Sequence, residues 1–202
     1  MAQMVIFGGT FDPVHNGHIQ LARSAKNMLH ADKVLLIPAA VSPHKSNTTT
    51  ASAQDRLAML RLATANEPDI EISDLEIKRP PPSYTFDTIQ SLRKQFPTDE
   101  FVLLIGADQL PKLHTWHKIG ELLAGVKTAV LPRDGSPIPE NPPDKILAPC
   151  WPEIKKNVLE LPKIVISATD IRQRVSQGLS ISGLVHPDVE RYIGERHLYS
   201  SR

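Results

Sequence analysis

Short apolar runs alternate with stretches of helical periodicity along the whole chain, and this alternation most constrains its fold. Val5, Ile6 and Phe7 form a buried-strand pattern closed by Gly8 and Gly9. A helix is expected from about Gly17 to Leu29, with Ile19, Leu21, Ala22, Ala25 and Met28 or Leu29 on its apolar face. Val34 to Pro38 reads as a second strand, Asp55 to Ala65 as a helix, and Ile70 to Ile72 as a weaker third strand. After three prolines a helix is expected from Tyr84 to Phe96. Phe101 to Ile105 is then a strongly apolar strand, Trp116 to Leu123 helical, and Thr128 to Leu131 a strand stopped by Pro132. Residues 41 to 50 and 133 to 145 have loop composition. Val158 to Leu161 and Ile164 to Ile166 are short apolar pieces, and Thr169 to Gln177 and Asp188 to Arg196 the last helices.

Strands alternating with helices predict an α/β fold: a doubly wound, Rossmann-like parallel sheet with helices on both faces. Ligands in such sheets sit at the carboxyl ends of strands, where the strand order reverses. The richest polar loops follow the first strand (Gly8 to His18) and the Phe101–Ile105 strand (Gly106 to Trp116). A strand order 3-2-1-4-5 would bring both to one crevice.

The 202 residues are expected to form one domain, 1–202, large enough to bury a core without staples. A formal net charge of +1 provides no global field for nucleic acid or a membrane, so any basic site must be local. The single cysteine, Cys150, cannot close an intrachain disulfide and reads as a small buried hydrophobe. The apolar run Met4 to Phe7 is too short for a signal peptide or a membrane span, so a reducing cytoplasm is the expected compartment.

Residues 8 to 18 read GGTFDPVHNGH. The glycines let backbone N–H groups approach a ligand closely. His15 and His18 straddle the expected helix start, where free N–H groups and the helix dipole favour anions, so the two imidazoles can converge on a polyphosphate. The stretch lacks the third glycine of GxGxxG and the GK[ST] of a Walker loop. A His-x-x-His metal site would need further ligands. His30, His186 and His197 stand alone and read as structural.

This loop resembles the signature of the HxGH nucleotidyltransferase superfamily, and its FDPxHxGH form is most similar to bacterial nicotinate mononucleotide adenylyltransferases. The resemblance implies transfer of AMP from ATP to nicotinate mononucleotide, giving deamido-NAD and pyrophosphate. It implies ATP contacts from Gly8, Gly9, Thr10, Phe11, His15 and His18. Residues 43 to 45, Pro-His-Lys, resemble the family's PHK segment, implying that His44 and Lys45 bind the mononucleotide and its phosphates; a loop lysine alone would read as solvated. Residues 167 to 174, SATDIRQR, resemble ISSTxIR. Ser167, Thr169 and Arg172 match a second polyphosphate clamp, and Ala168 departs from it; on their own these hydroxyls read equally as helix caps. Ser83-Tyr84-Thr85 resembles the segment facing the nicotinate ring, where a helix end favours a carboxylate over an amide. GADQLPKLHTW resembles GxDxL…W, implying Gly106 and Asp108 at the adenosine ribose and Trp116 stacked on the pyridine. Residues 184 to 199 resemble the family's C-terminal helix, for which packing is the simplest role.

The expected mechanism is in-line attack by the mononucleotide phosphate on the α-phosphorus, with His15, His18, Lys45 and Arg172 as the catalytic set. Mg²⁺ is expected as the cofactor, held mainly by ATP phosphates and not by protein ligands. ATP and nicotinate mononucleotide are the expected partners, with no nucleic acid or membrane, and a homo-oligomer is compatible with the sequence. The alternatives are a sister enzyme acting on nicotinamide mononucleotide or phosphopantetheine, and a non-catalytic nucleotide sensor.

Overall fold

A computed structural model describes residues 1–40, 51–133, 135–161 and 165–200. Five parallel strands form one sheet: β1 (Gln3–Gly9), β2 (Lys33–Pro38), β3 (Ile70–Ile72), β4 (Glu100–Gly106) and β5 (Lys127–Leu131). Their order is β3-β2-β1-β4-β5, the order expected to bring the two polar loops to one crevice. The chain winds outward from β1 to β2 and β3, then returns to the other side of β1 as β4 and β5. The reversal therefore lies between β1 and β4, whose registers pair Val5 with Val102 and Ile6 with Leu103.

Successive side chains of a strand point to opposite faces, and both faces here are covered. Val5, Phe7, Val34, Leu36, Val102, Leu104, Ala129 and Leu131 enter one core with α1 (Asn16–Met28), α2 (Ala53–Ala63), α7 (Ala168–Ser176) and α8 (Pro187–Glu195). Met4, Ile6, Leu35, Ile37, Leu103, Ile105 and Val130 enter the other with α4 (Thr85–Gln95), α5 (Ile119–Gly125) and α6 (Trp151–Lys156). This is why the strands read as unbroken apolar runs. Short capping bonds fix two of the helix starts: Ser52 Oγ accepts from the Asp55 N–H at 3.0 Å and His186 Nδ1 from the Asp188 N–H at 3.2 Å. His186 is thus the structural residue its isolation suggests.

Several local expectations change. The polar segment after β4 is a 3₁₀ helix (Ala107–Thr115), and α5 begins at Ile119 after Lys118 adopts φ 51°. The start expected at Trp116 falls later because extended Trp116 and left-handed Lys118 separate the two helical segments. α3 (Leu75–Lys78) and α6 were not anticipated. Val158 makes only an isolated bridge to Val130 and extends no strand. Residues 133–145 are mostly exposed where described, although Ile138 packs on the second core. Cys150 is half-buried against that core, not fully enclosed. Loop 41–50, with His44 and Lys45, and Ile164 lie outside the described residues. Among the described residues no helix is long and apolar enough to cross a membrane.

Candidate active site

A cavity of about 940 Å³ opens at the carboxyl ends of β1, β4 and β5. Gly8, Gly9, Thr10, Phe11, His15, His18, Tyr84, Thr85, Gly106, Asp108, Trp116, Ser167, Thr169 and Arg172 all line it. Every expected site residue among those described therefore faces one space, even though the elements carrying them lie far apart in sequence.

The first strand delivers the phosphate loop. A Cβ on Gly9 would sit 2.9 Å from Phe11 Cζ, so only glycine lets the Phe11 ring fold back beneath the loop. Phe11 reaches that position at φ 50° and is buried. Its ring meets His18 edge-on at 5.0 Å and Phe7 edge-on at 5.6 Å. Phe11 is thus a floor for His18 as well as part of the cavity wall.

His15 is the N-cap of α1, with extended backbone at φ −140°. Its backbone N–H donates to His18 Nδ1 at 3.2 Å, and the two rings stack with centroids 3.6 Å apart at 22°. With Nδ1 serving as acceptor, a neutral His18 carries its proton on Nε2, which suits it to donate to a phosphate oxygen. Burial, reinforced by the Arg133 charge, depresses the His15 pKa to about 4. His15 is therefore neutral at physiological pH and contributes a dipole, not a charge. Its Nδ1 is buried without a hydrogen-bond partner among the described residues.

Among the described residues, positive charge at the cavity comes from Arg172 and Arg133. Arg172, on the first turns of α7, donates to the Asp12 carbonyl at 2.7 Å and to Thr169 Oγ1 at 3.3 Å. The contact to Asp12 ties α7 to the loop from β1 across 160 residues of sequence. Ser167 caps α7, its Oγ accepting from the Asp170 N–H at 3.1 Å, which leaves the hydroxyl proton to donate elsewhere. Ala168 is the first helical residue and offers no hydroxyl there. The second arginine, Arg133, was not anticipated. It follows β5 and pairs with Asp108 at 3.1 Å. Only its position just past a strand's carboxyl end could have suggested it. A side chain on Gly106 would collide with the Asp108 carboxylate, which explains the glycine that closes β4.

Part of the cavity wall is aromatic. Tyr84, the N-cap residue of α4, stacks on His117 at 4.5 Å and 28°. Trp116 is partly buried beside them. A hydrogen-bonded brace sets the start of α4: Thr88 Oγ1 donates to Glu76 Oε1 at 2.7 Å, and Arg79 Nη2 donates to Thr88 Oγ1 at 3.0 Å and the Tyr84 carbonyl at 3.3 Å. Burial raises the Glu76 carboxyl above its usual range, with Thr88 and Arg79 opposing. His117 and Glu76 both line the cavity and neither was anticipated, since neither belongs to a recognisable local pattern.

No cluster of three or more His, Cys, Asp or Glu side chains able to hold a metal occurs among the described residues. The cavity's carboxylates are engaged with protein partners: Asp12 with Tyr199, Asp108 with Arg133 and Glu76 with Thr88. This donor set fits a cation carried in on phosphate oxygens.

Comparison with known proteins agrees with this geometry. Residues 6–174 match the cytidylyltransferase-like family. Two relatives are each named "Probable nicotinate-nucleotide adenylyltransferase". The one from Exiguobacterium sibiricum is 39% identical over 198 residues, covering 97% of this chain and 98% of that protein. The one from Geobacillus thermodenitrificans is 39% identical over 202 residues, covering 100% and 88%. The solved structure of Plasmodium falciparum nicotinic acid mononucleotide adenylyltransferase complexed with NaAD shares the fold, with a TM-score of 0.79, 20% identity and 98% coverage of both chains. A glycine-bounded loop with two stacked histidines, an arginine brought to it from α7 and an aromatic recess, joined to this full-length similarity, places the chain in the cytidylyltransferase-like family, among the nicotinate-nucleotide adenylyltransferases.

Proposed function

We propose that the chain transfers the adenylyl group of ATP to nicotinate mononucleotide, forming deamido-NAD and pyrophosphate for NAD biosynthesis. One observation carries the residue assignment: the stacked His15–His18 pair at the start of α1 shares a cavity with Arg172 and with Tyr84, His117 and Trp116. The whole chain acts as one nucleotidyltransferase domain in the cytoplasm.

ATP lies along the loop from Gly8 to Phe11, with Gly106 and Asp108 at its ribose. His18 Nε2–H and the neutral His15 ring donate to the α- and β-phosphate oxygens. Arg172, with Ser167 and Thr169, holds the departing pyrophosphate, and Lys45 is assigned the same role. Tyr84, Thr85, Trp116 and His44 hold the mononucleotide, its carboxylate directed at the N-terminus of α4, where free N–H groups favour an anion by about 0.3–1 kcal/mol. Mg²⁺ bound to the phosphates would neutralise their charge. The protein's contribution is alignment of the acceptor phosphate behind the α-phosphorus and donors fixed in advance. The attacking oxygen forms the new P–O bond as the bond to pyrophosphate breaks.

The test is pyrophosphate release from ATP with nicotinate mononucleotide, nicotinamide mononucleotide and phosphopantetheine in parallel. The acid mononucleotide is expected to give the highest kcat/KM; a preference for either rival would reassign the acceptor. With chiral α-thio-ATP, one direct transfer inverts phosphorus, and retention would demand a covalent enzyme intermediate.

A further inference from the structure

The last described turns of the chain reach back to the loop that binds phosphate. Leu198 N–H bonds the Ile193 carbonyl at 3.0 Å, just past α8, and Tyr199 follows at φ 63°. A left-handed backbone at a tyrosine persists only where surrounding contacts hold it. Here the phenol donates to Asp12 Oδ1 at 2.7 Å, 187 residues away in sequence. Asp12 is buried, and its own backbone carbonyl accepts from Arg172 at 2.7 Å. The buried Arg56 supports the same loop, donating to the Thr10 carbonyl at 2.7 Å and the Ala39 carbonyl at 2.8 Å. Burial and the neighbouring Asp12 charge push the Tyr199 phenol well above its usual range, so it stays protonated and stays a donor.

Tyr192 and Arg196 anchor the same segment differently. The Tyr192 hydroxyl donates to Asp55 Oδ1 at 2.9 Å and Arg196 lies 3.4 Å from that oxygen, so α8 is fastened to α2 without touching the loop. Tyr199 alone among these C-terminal polar side chains is aimed at the phosphate loop. Packing of α8, through Val189 and Ile193, does not require its hydroxyl.

We propose that Tyr199 is a positioning residue for adenylyl transfer: its phenol holds the Asp12 carboxylate, and Asp12 in turn sets the loop on which Arg172 and His15 meet the phosphates. The proposal rests on the adenylyl-transfer reading above. Tyr199 touches no reacting atom; it acts through Asp12.

Tyr199→Phe keeps the ring and removes only the donor. Its kcat is expected to fall about tenfold, the scale of one hydrogen bond to a charged group, while KM for both substrates moves by no more than about twofold. The Asp12→Asn, Tyr199→Phe double variant should be no slower than Asp12→Asn alone, because the two residues form one path. Independently of turnover, amide hydrogen exchange at residues 10–16 should accelerate in Tyr199→Phe while exchange in the central strands stays unchanged. A variant with native kcat, native exchange in the loop, or losses that multiply in the double variant overturns the proposal. Absence of turnover in the unaltered protein would count against the adenylyl-transfer reading alone, and the exchange measurement would still decide the role of Tyr199.

Discussion

The backbone N–H of His15 donates to the imidazole Nδ1 of His18, and this single bond fixes which nitrogen of His18 is left to meet a phosphate. His18→Ala removes the Nε2–H donor. A preorganised donor to developing charge is worth about 2.7–4 kcal/mol, so kcat should fall about 10²-fold or more. His18 is only partly buried, and thermal melting should change little. Steady-state kinetics beside a melting curve separates the two, and near-native turnover would remove His18 from the reaction.

Trp116→Ala addresses the other substrate. Stacking of a flat ring on an aromatic side chain is worth about 1–3 kcal/mol per base, so loss of Trp116 should raise KM for nicotinate mononucleotide by about fivefold or more, with KM for ATP nearly unchanged. Measuring both constants in one variant is the check. Equal rises for both substrates would mean that Trp116 supports the cavity wall and not the pyridine.

Arg56 offers a stability test within the same loop. It is 1% exposed and donates to the carbonyls of Thr10, Ala39 and Ala40. Its charge is held in an unfavourable buried setting, which lowers its pKa from the usual arginine value. Arg56→Met keeps much of the volume but strands three carbonyl acceptors. At about 1–3 kcal/mol for each unsatisfied group, the loss should be at least ~3 kcal/mol. For a chain of this size that corresponds to a melting temperature lower by about 6–12 °C. Scanning calorimetry would reveal it, and an unchanged midpoint would mean that water replaces the guanidinium.

What the sequence makes legible follows from how local each signal is. The covered parallel sheet is legible because apolar runs such as Val5–Phe7 and Phe101–Ile105 must be buried on both faces, and its strand order because the polar loops after them must meet at one crevice. GGTFDPVHNGH puts His15 at the cap and His18 in the first turn of α1, where the structure has them, because these positions are neighbours in sequence. α3 and α6 escaped notice because four and six residues are too few for a helical period to show. Arg133 and Tyr199 escaped for a different reason. Each acts on a partner brought near only by the finished sheet, Asp108 in one case and Asp12 in the other, and nothing adjacent in sequence marks them. The apolar stripe of the C-terminal helix is a local signal and reads as packing, whereas the reach of the Tyr199 phenol is not local.

His15 gives a pH dependence whose sign is fixed. In the folded protein its pKa is about 4, below the usual 6.5, chiefly through burial and then through Arg133. Above pH 6.5 the imidazole is neutral in both folded and unfolded chains, and its full contribution to stability is present. As pH falls below 6.5 the unfolded chain takes up a proton that the folded chain refuses, so stability declines until about pH 4, where the folded form is protonated too. At about 1.4 kcal/mol per unit, the total from this residue is on the order of 3 kcal/mol. Denaturant titrations at pH 7.5 and 4.5 should show this loss in the native chain, and His15→Gln should lack that component. Arg133→Gln removes the Coulombic part, so the His15 ring, followed by NMR, should titrate at a higher pH than in the native chain. A His15 resonance titrating near 6.5 in the unaltered protein would mean that the ring is solvated and becomes charged in mildly acidic solution, which would overturn the buried, neutral His15.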